Sequence, residues 1–109
     1  MKQVEVGSYP INIFMAGDYE RAVDICRFHC DENPWCVTVT PTTFTYAGGT
    51  EEGFIVGLIN YPRFPATPER LWTEAYAIGH RLREALEQQS YTIQAPDKTV
   101  WISHREEDQ

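Results

Sequence analysis

The sequence predicts one α+β domain. Two helices lie on one face of a mainly antiparallel sheet, in the order βαββαβ, with an extra C-terminal hairpin strand. Three observations predict it. Ile11, Ile13 and Met15 alternate with Asn12, Phe14 and Ala16, and Cys36 to Thr40 alternates likewise, which is the period-two signature of strands. Two longer segments instead repeat apolar residues every three or four positions behind good N-caps. Between them Phe54 to Ile59 is almost continuously apolar, as suits a central strand covered on both faces.

Residues 1–8 read as an arm or short edge strand, because Gly7-Ser8 break a weak alternation. The first firm strand ends at Gly17. Asp18 can accept the free amide hydrogens of the next turn, so it caps a helix from Tyr19 to Glu32 with the stripe Tyr19, Ala22, Val23, Cys26 and Cys30. Asn33-Pro34 stop it, since the residue before proline avoids the α region. In the next strand the large residues change parity after Pro41, from Val37 and Val39 to Phe44 and Tyr46. A bulge or bend at Pro41-Thr42 is therefore expected. Ala47 to Gly53 reads as a hairpin loop, and Asn60 to Ala66 as a stiff connector. Thr67-Pro68 caps the second helix, whose face is Leu71, Ala75, Ile78, Leu82 and Leu86, with Gly79 beside it for close packing. Extended to Gln89, this helix would be ~33 Å long. Ser90 to Ala95 and Thr99 to Ser103 form a hairpin about Pro96-Asp97-Lys98, and residues 104–109 are a polar tail expected to fray.

The chain carries 9 Lys and Arg against 16 Asp and Glu, a net charge of −7. Such a surface repels phosphate backbones, so direct nucleic-acid binding is disfavoured and a basic protein surface is the better macromolecular partner. No run approaches the ~18 apolar residues of a membrane span. Met1 to Glu5 lacks the apolar segment of a secretory signal, and the 3 cysteines are odd in number. Reduced thiols in a cytoplasmic protein are expected. Aromatic residues reach 13%, enough that some rings should serve a binding surface.

This order of elements is that of a ferredoxin-like fold. Within it, the middle of the chain resembles the CutA and PII-like proteins, through Ile11 to Met15, the helix from Tyr19, the run Trp35-Cys36-Val37-Thr38-Val39-Thr40-Pro41-Thr42 and the return strand Phe54 to Ile59. The tryptophan that CutA-type hairpins place near Tyr46 is absent, and Arg63-Phe64-Pro65 replaces an ordinary short loop. The resemblance implies a trimer whose hairpins reach across subunits, with small ligands, often nucleotides or metals, in the clefts between them.

Read from the residues, the most informative stretch is Asn60 to Phe64. Arg63 stands among Tyr61, Phe64 and prolines, where a guanidinium can stack on a ring or clamp an anion. Asn60 and Tyr61 add hydrogen-bonding groups, and the adjacent helix N-terminus adds partial positive charge. Phe44, Tyr46 and Trp101 fall on the sheet face away from the helices, and Phe44 and Trp101 there suit a subunit contact. Cys26, His29, Cys30 and Cys36 are the nearest approach to a zinc set, but their spacing matches no zinc signature and the helical pair suits a core stripe. Cys36 with His29 or His80 could make a nucleophilic pair, although no oxyanion donor is evident. The carboxylates, Glu51 and Glu52 among them, read as solvated faces.

The expectation is thus a non-catalytic oligomeric protein without a cofactor. It would hold a small anionic ligand, possibly a nucleotide, at a subunit cleft through Arg63, Tyr61, Asn60, Phe64 and Tyr46. An acidic inhibitor or adaptor of viral or mobile-element type, aimed at a basic host partner, is the alternative. An enzyme with a Cys/His site ranks third.

Overall fold

The computed structural model describes residues 1–109. Its elements are Ile11–Ala16 (β1), Tyr19–Glu32 (α1), Thr38–Tyr46 (β2), Gly49–Leu58 (β3), Pro68–Ala85 (α2), Ser90–Gln94 (β4) and Thr99–Ser103 (β5), followed by a 3-10 turn at Glu106–Asp108. The strands form one sheet in the order β2-β3-β1-β4-β5, and every neighbouring pair is antiparallel. This is the expected βαββαβ arrangement, with β5 added at an edge by the last hairpin.

The register explains the core. Val39, Val56, Ile13, Ile93 and Val100 align across the sheet in one row. That row faces the helices, and Ile13, Val56 and Ile93 in it are fully buried. Leu71, Ala75, Ile78 and Leu82 of α2 and Ala22 and Cys26 of α1 close over it. Each large side chain so buried contributes about 1.5–3 kcal/mol, so this layer dominates the stability. Asp18 accepts from the Glu20 and Arg21 amides, and α1 runs over the predicted residues.

The next row across the sheet is Thr40, Ile55, Phe14, Thr92 and Trp101, and it points away from both helices. No element of the chain covers it. Phe54 to Ile59 is therefore covered on one face only: Phe54, Val56 and Leu58 are buried, whereas Ile55 is half-buried and Ile59 exposed.

Three local expectations are corrected. First, β2 and β3 pair without interruption from Thr38↔Gly57 to Tyr46↔Gly49, so there is no bulge at Pro41. β2 is an edge strand, where a proline's missing donor is tolerated. The parity change is real, but it reflects which face carries the large residues: Val39 faces the helices, and Phe44 faces the open side. Second, the hairpin turn is only Ala47-Gly48, with Gly48 at φ 92°, and Thr50 to Gly53 belong to β3. Third, α2 stops at Ala85, about 27 Å from its start. The Glu87 amide bonds the Glu84 carbonyl at 3.2 Å and the Gln88 amide bonds the Arg83 carbonyl at 2.9 Å. This is a Schellman ending with Glu87 left-handed at φ 54°, a position that glycine usually announces.

Candidate functional site

β1 ends opposite Gly53, so the outer halves of β2 and β3 lose their third strand. Residues 43–52 project as a two-stranded ribbon, and the molecule extends 52 Å along its long axis. A cleft of about 390 Å³ lies at the ribbon's base, bordered by Phe14, Phe44, Glu51, Gln88, Ser90 and Arg105. Phe44 sits directly opposite Glu51 in the register, which puts both on the open face with Phe14. A side chain at Gly53 would run into the Phe44 ring and the Met15 carbonyl, so the glycine lets that ring lie against the strand. Arg105 is brought in by the tail, which folds back through His104 N–H to the Gln89 carbonyl at 2.8 Å and Ser103 Oγ to Asp108 at 2.5 Å. This hairpin notch combines two carboxylates, Glu51 and Glu87, one guanidinium and three rings, Phe14, Phe44 and Tyr91.

A second cleft, of about 720 Å³, lies beside the connector and is bordered by Asn33, Trp35, Cys36, Phe64, Pro65 and Arg70. Here the structure gathers part of the predicted site. The Arg63 guanidinium lies over the Phe64 ring at 5.4 Å. Tyr61 Oη is 3.5 Å from Cys36 Sγ, and that hydrogen bond, with partial burial, raises the Tyr61 phenol above its ordinary range. Asn60 is spent on structure: its Nδ2 donates to the Gly7 carbonyl and its Oδ1 accepts from the Ala66 amide, both at 2.8 Å. It pins the arm to the connector. Tyr46 does not join this group within the chain. It sits exposed at the ribbon tip, packed near Gly49, and the length of β2, ~27 Å, separates it from the connector end.

The three cysteines line one apolar groove of about 420 Å³ with Tyr19, Val23 and Trp35. Burial pushes the Cys26 thiol up to about 12 and raises Cys30 as well, while Cys36 is exposed. His29 is occupied elsewhere. It is buried against Glu74, and Arg81 approaches its other ring nitrogen at 3.3 Å. No three His, Cys, Asp or Glu side chains are placed to hold a metal ion. Nor is a thiol paired with an imidazole: Cys36 meets Tyr61, and His80 meets Glu84 at 2.7 Å on the surface of α2.

Sequence reasoning missed the notch. Glu51 looked like a loop-tip acid, and Arg105 fell in a tail expected to fray. The signal was indirect. Once Ala47-Gly48 is taken as a two-residue turn, Phe44 and Glu51 must face each other, but the glycine-rich run invited a longer loop.

The fold and its clefts define a single-sheet α+β protein with one bare sheet face and a polar, ring-lined notch opening onto it. Solved structures show what else is built this way. A phage SAM lyase in its apo state superposes with a TM-score of 0.75 at 18% identity over 94% of either chain. A phage SAM lyase in complex with S-methyl-5′-thioadenosine superposes with a TM-score of 0.62 at 15% identity, over 94% of this chain and 95% of that one. No family model and no curated protein sequence matches. At these identities the shared property is the fold. The expectation of a non-catalytic protein is corrected by these neighbours: the two solved chains that share the fold along nearly their whole length are both SAM lyases, so the relatives of this architecture are enzymes.

Proposed function

We propose that this chain is a lyase that binds SAM in the hairpin notch and releases S-methyl-5′-thioadenosine. The supporting observation is the chemistry of the notch, in a fold shared with SAM lyases. SAM carries a sulfonium, an ammonium, a carboxylate and an adenine ring. Glu51 offers a negative charge to the cationic groups. Arg105 offers a planar fork to the carboxylate. Phe14 and Phe44 offer faces to the adenine and to the sulfonium. The chain's net charge of −7 also attracts a cationic substrate.

In the reaction the bond from sulfur to the four-carbon amino-acid chain breaks and its electron pair goes to sulfur, leaving a neutral thioether. The four-carbon fragment restores its own valence by closing onto its own carboxylate, one carbon–oxygen bond forming as the carbon–sulfur bond breaks, so no water is added and no proton need leave. A notch that excludes water favours this loss of charge. The bare face beside the notch, with Phe14, Phe44, Ile55 and Trp101, packs against a second copy of the chain, so the neighbour borders the notch and closes it.

Incubation with SAM and chromatographic detection of S-methyl-5′-thioadenosine tests the proposal. Wild type is expected to form product, and Glu51→Gln and Arg105→Ala to lower kcat/KM at least tenfold each while their thermal unfolding is unchanged. Absence of product, or wild-type rates in both variants, refutes it.

A further inference from the structure

We infer that the connector cleft is a second ligand site, separate from the notch, and that it takes an anion joined to a flat ring, of the kind a nucleotide presents. Among the chain's arginines, Arg81 and Arg83 face carboxylates at 3.0 and 3.8 Å. The other five face none, and of these Arg63 and Arg70 are the two set on aromatic rings. Arg63 lies over Phe64 at 5.4 Å and Arg70 over Trp35 at 5.7 Å. Phe64, Trp35 and Arg70 border the same cleft of about 720 Å³, larger than the notch or the cysteine groove. An arginine laid on an aromatic face keeps its edge donors free, so Arg70 on the cleft wall, and Arg63 held against the Phe64 ring that borders it, offer forks for phosphate oxygens and faces for a base.

The surroundings do not cancel this charge. From Asn33 to Pro68 the only acids are Glu51 and Glu52, and they belong to the projecting ribbon. Asp31 borders a different cleft with Arg27 and Phe28, Glu32 is forked by Arg81, and Glu69 is not among the residues that border this one. The site is also rigid. Asn60 fastens the connector at both of its polar ends, and Thr67 caps α2 by accepting from the Arg70 backbone amide at 3.2 Å. Because that cap uses the Arg70 backbone, Arg70→Ala leaves it intact. The inference does not depend on SAM chemistry, which is assigned to residues at the other end of β3.

ATP, tripolyphosphate and adenosine are titrated separately into the full chain, followed by calorimetry and by tryptophan emission. ATP is expected to bind at least tenfold tighter than tripolyphosphate, because only ATP uses the rings. Arg63→Ala/Arg70→Ala is expected to weaken it about 30-fold or more, with an unchanged unfolding temperature. Trp35→Phe should remove the emission change. Glu51→Gln should bind ATP as wild type does, which separates this site from the notch. Three results would each overturn the inference: no ATP binding at millimolar concentration, equal affinity for ATP and tripolyphosphate, or unaltered affinity in the double arginine variant.

Discussion

Nε2 of His29 on α1 hydrogen-bonds Oε1 of Glu74 on α2, and both side chains are buried. The direction of that bond is fixed by a third residue. Arg81 Nη1 lies 3.3 Å from His29 Nδ1 and can only donate, so Nδ1 accepts and the ring proton sits on Nε2, facing the carboxylate. Arg81 also forks Glu32 at 3.0 and 3.2 Å. A continuous chain of donors and acceptors therefore ties the two helices together above the apolar layer.

The pair predicts an asymmetric mutational response. His29→Ala leaves the Glu74 carboxylate buried without its donor and should cost about 3–5 kcal/mol. Glu74→Gln keeps an amide oxygen to accept from Nε2–H and should cost about 1 kcal/mol. His29→Leu/Glu74→Leu removes both polar groups and should recover most of the loss. Urea unfolding measures all three, and a neutral His29→Ala would show that the bond does not form.

The alkaline limb of stability should belong largely to Cys26. Burial raises its thiol from 9.0 to about 12, so the fold favours the neutral form. A group raised in the fold contributes stability that is complete below its ordinary value and is lost as pH climbs through the raised one. Stability is therefore expected to fall between pH 9 and 12, and Cys26→Ala should flatten that limb in part, leaving the contributions of Cys30 and Tyr91, also raised by burial, and of Tyr61, raised chiefly by its bond to Cys36. The acid side has the opposite sign. Arg81 holds the exposed Glu32 carboxyl below its ordinary 4.5, so that contribution is present above this value and disappears as pH drops through the lowered one. Unfolding temperatures of wild type, Cys26→Ala and Arg81→Met across pH 2 to 12 separate the two limbs.

Gly79 of α2 packs against the Tyr91 ring of β4. A Cβ there would stand 2.6 Å from Tyr91 Cε2 and 3.1 Å from Cζ, and Tyr91 is itself buried. Gly79→Ala gains helix propensity but forces that ring to move, and the overpacking should win by about 1–3 kcal/mol. Gly79→Ala/Tyr91→Leu, which trims the ring, should be more stable than Gly79→Ala alone. Thermal unfolding of both decides it.

How far these features were legible in the sequence follows from the range of the forces behind them. The caps Asp18 and Thr67, the period-two strands and the helical stripes are local, and they place β1, α1 and the start of α2. The end of α2 depends on a Schellman pair closed by a glutamate, and nothing in Leu86-Glu87-Gln88 advertises it. The Arg63–Phe64 pair is likewise local and visible in sequence. Arg70 over Trp35, Glu74 against His29 and Arg105 beside Glu51 are each brought together by the packing of elements distant in the chain, so spacing could not reveal them. Tyr46 shows the reverse error: residue type suggested a role beside Arg63, and an unbroken β2 carries it to the far tip.

The bare sheet face supplies the last prediction. Trp101 is 56% exposed on β5, two strands from Phe14 and in the same row as Ile55. Phe14, Ile55 and Thr92 of that row are half-buried, so this ring is the largest apolar group the row leaves in water. Apolar area of this kind stabilises a contact between copies far more than it stabilises the monomer. Trp101→Glu should therefore lower the subunit number seen by native mass spectrometry while changing the unfolding of the dissociated chain by less than about 0.5 kcal/mol. Because the notch opens onto the same face, the variant should also raise KM for SAM even though Trp101 is not among the residues bordering that cleft. A wild-type chain that is monomeric at micromolar concentration, or a Trp101→Glu variant with unchanged mass and KM, would detach the face from the site and leave the notch to work within a single chain.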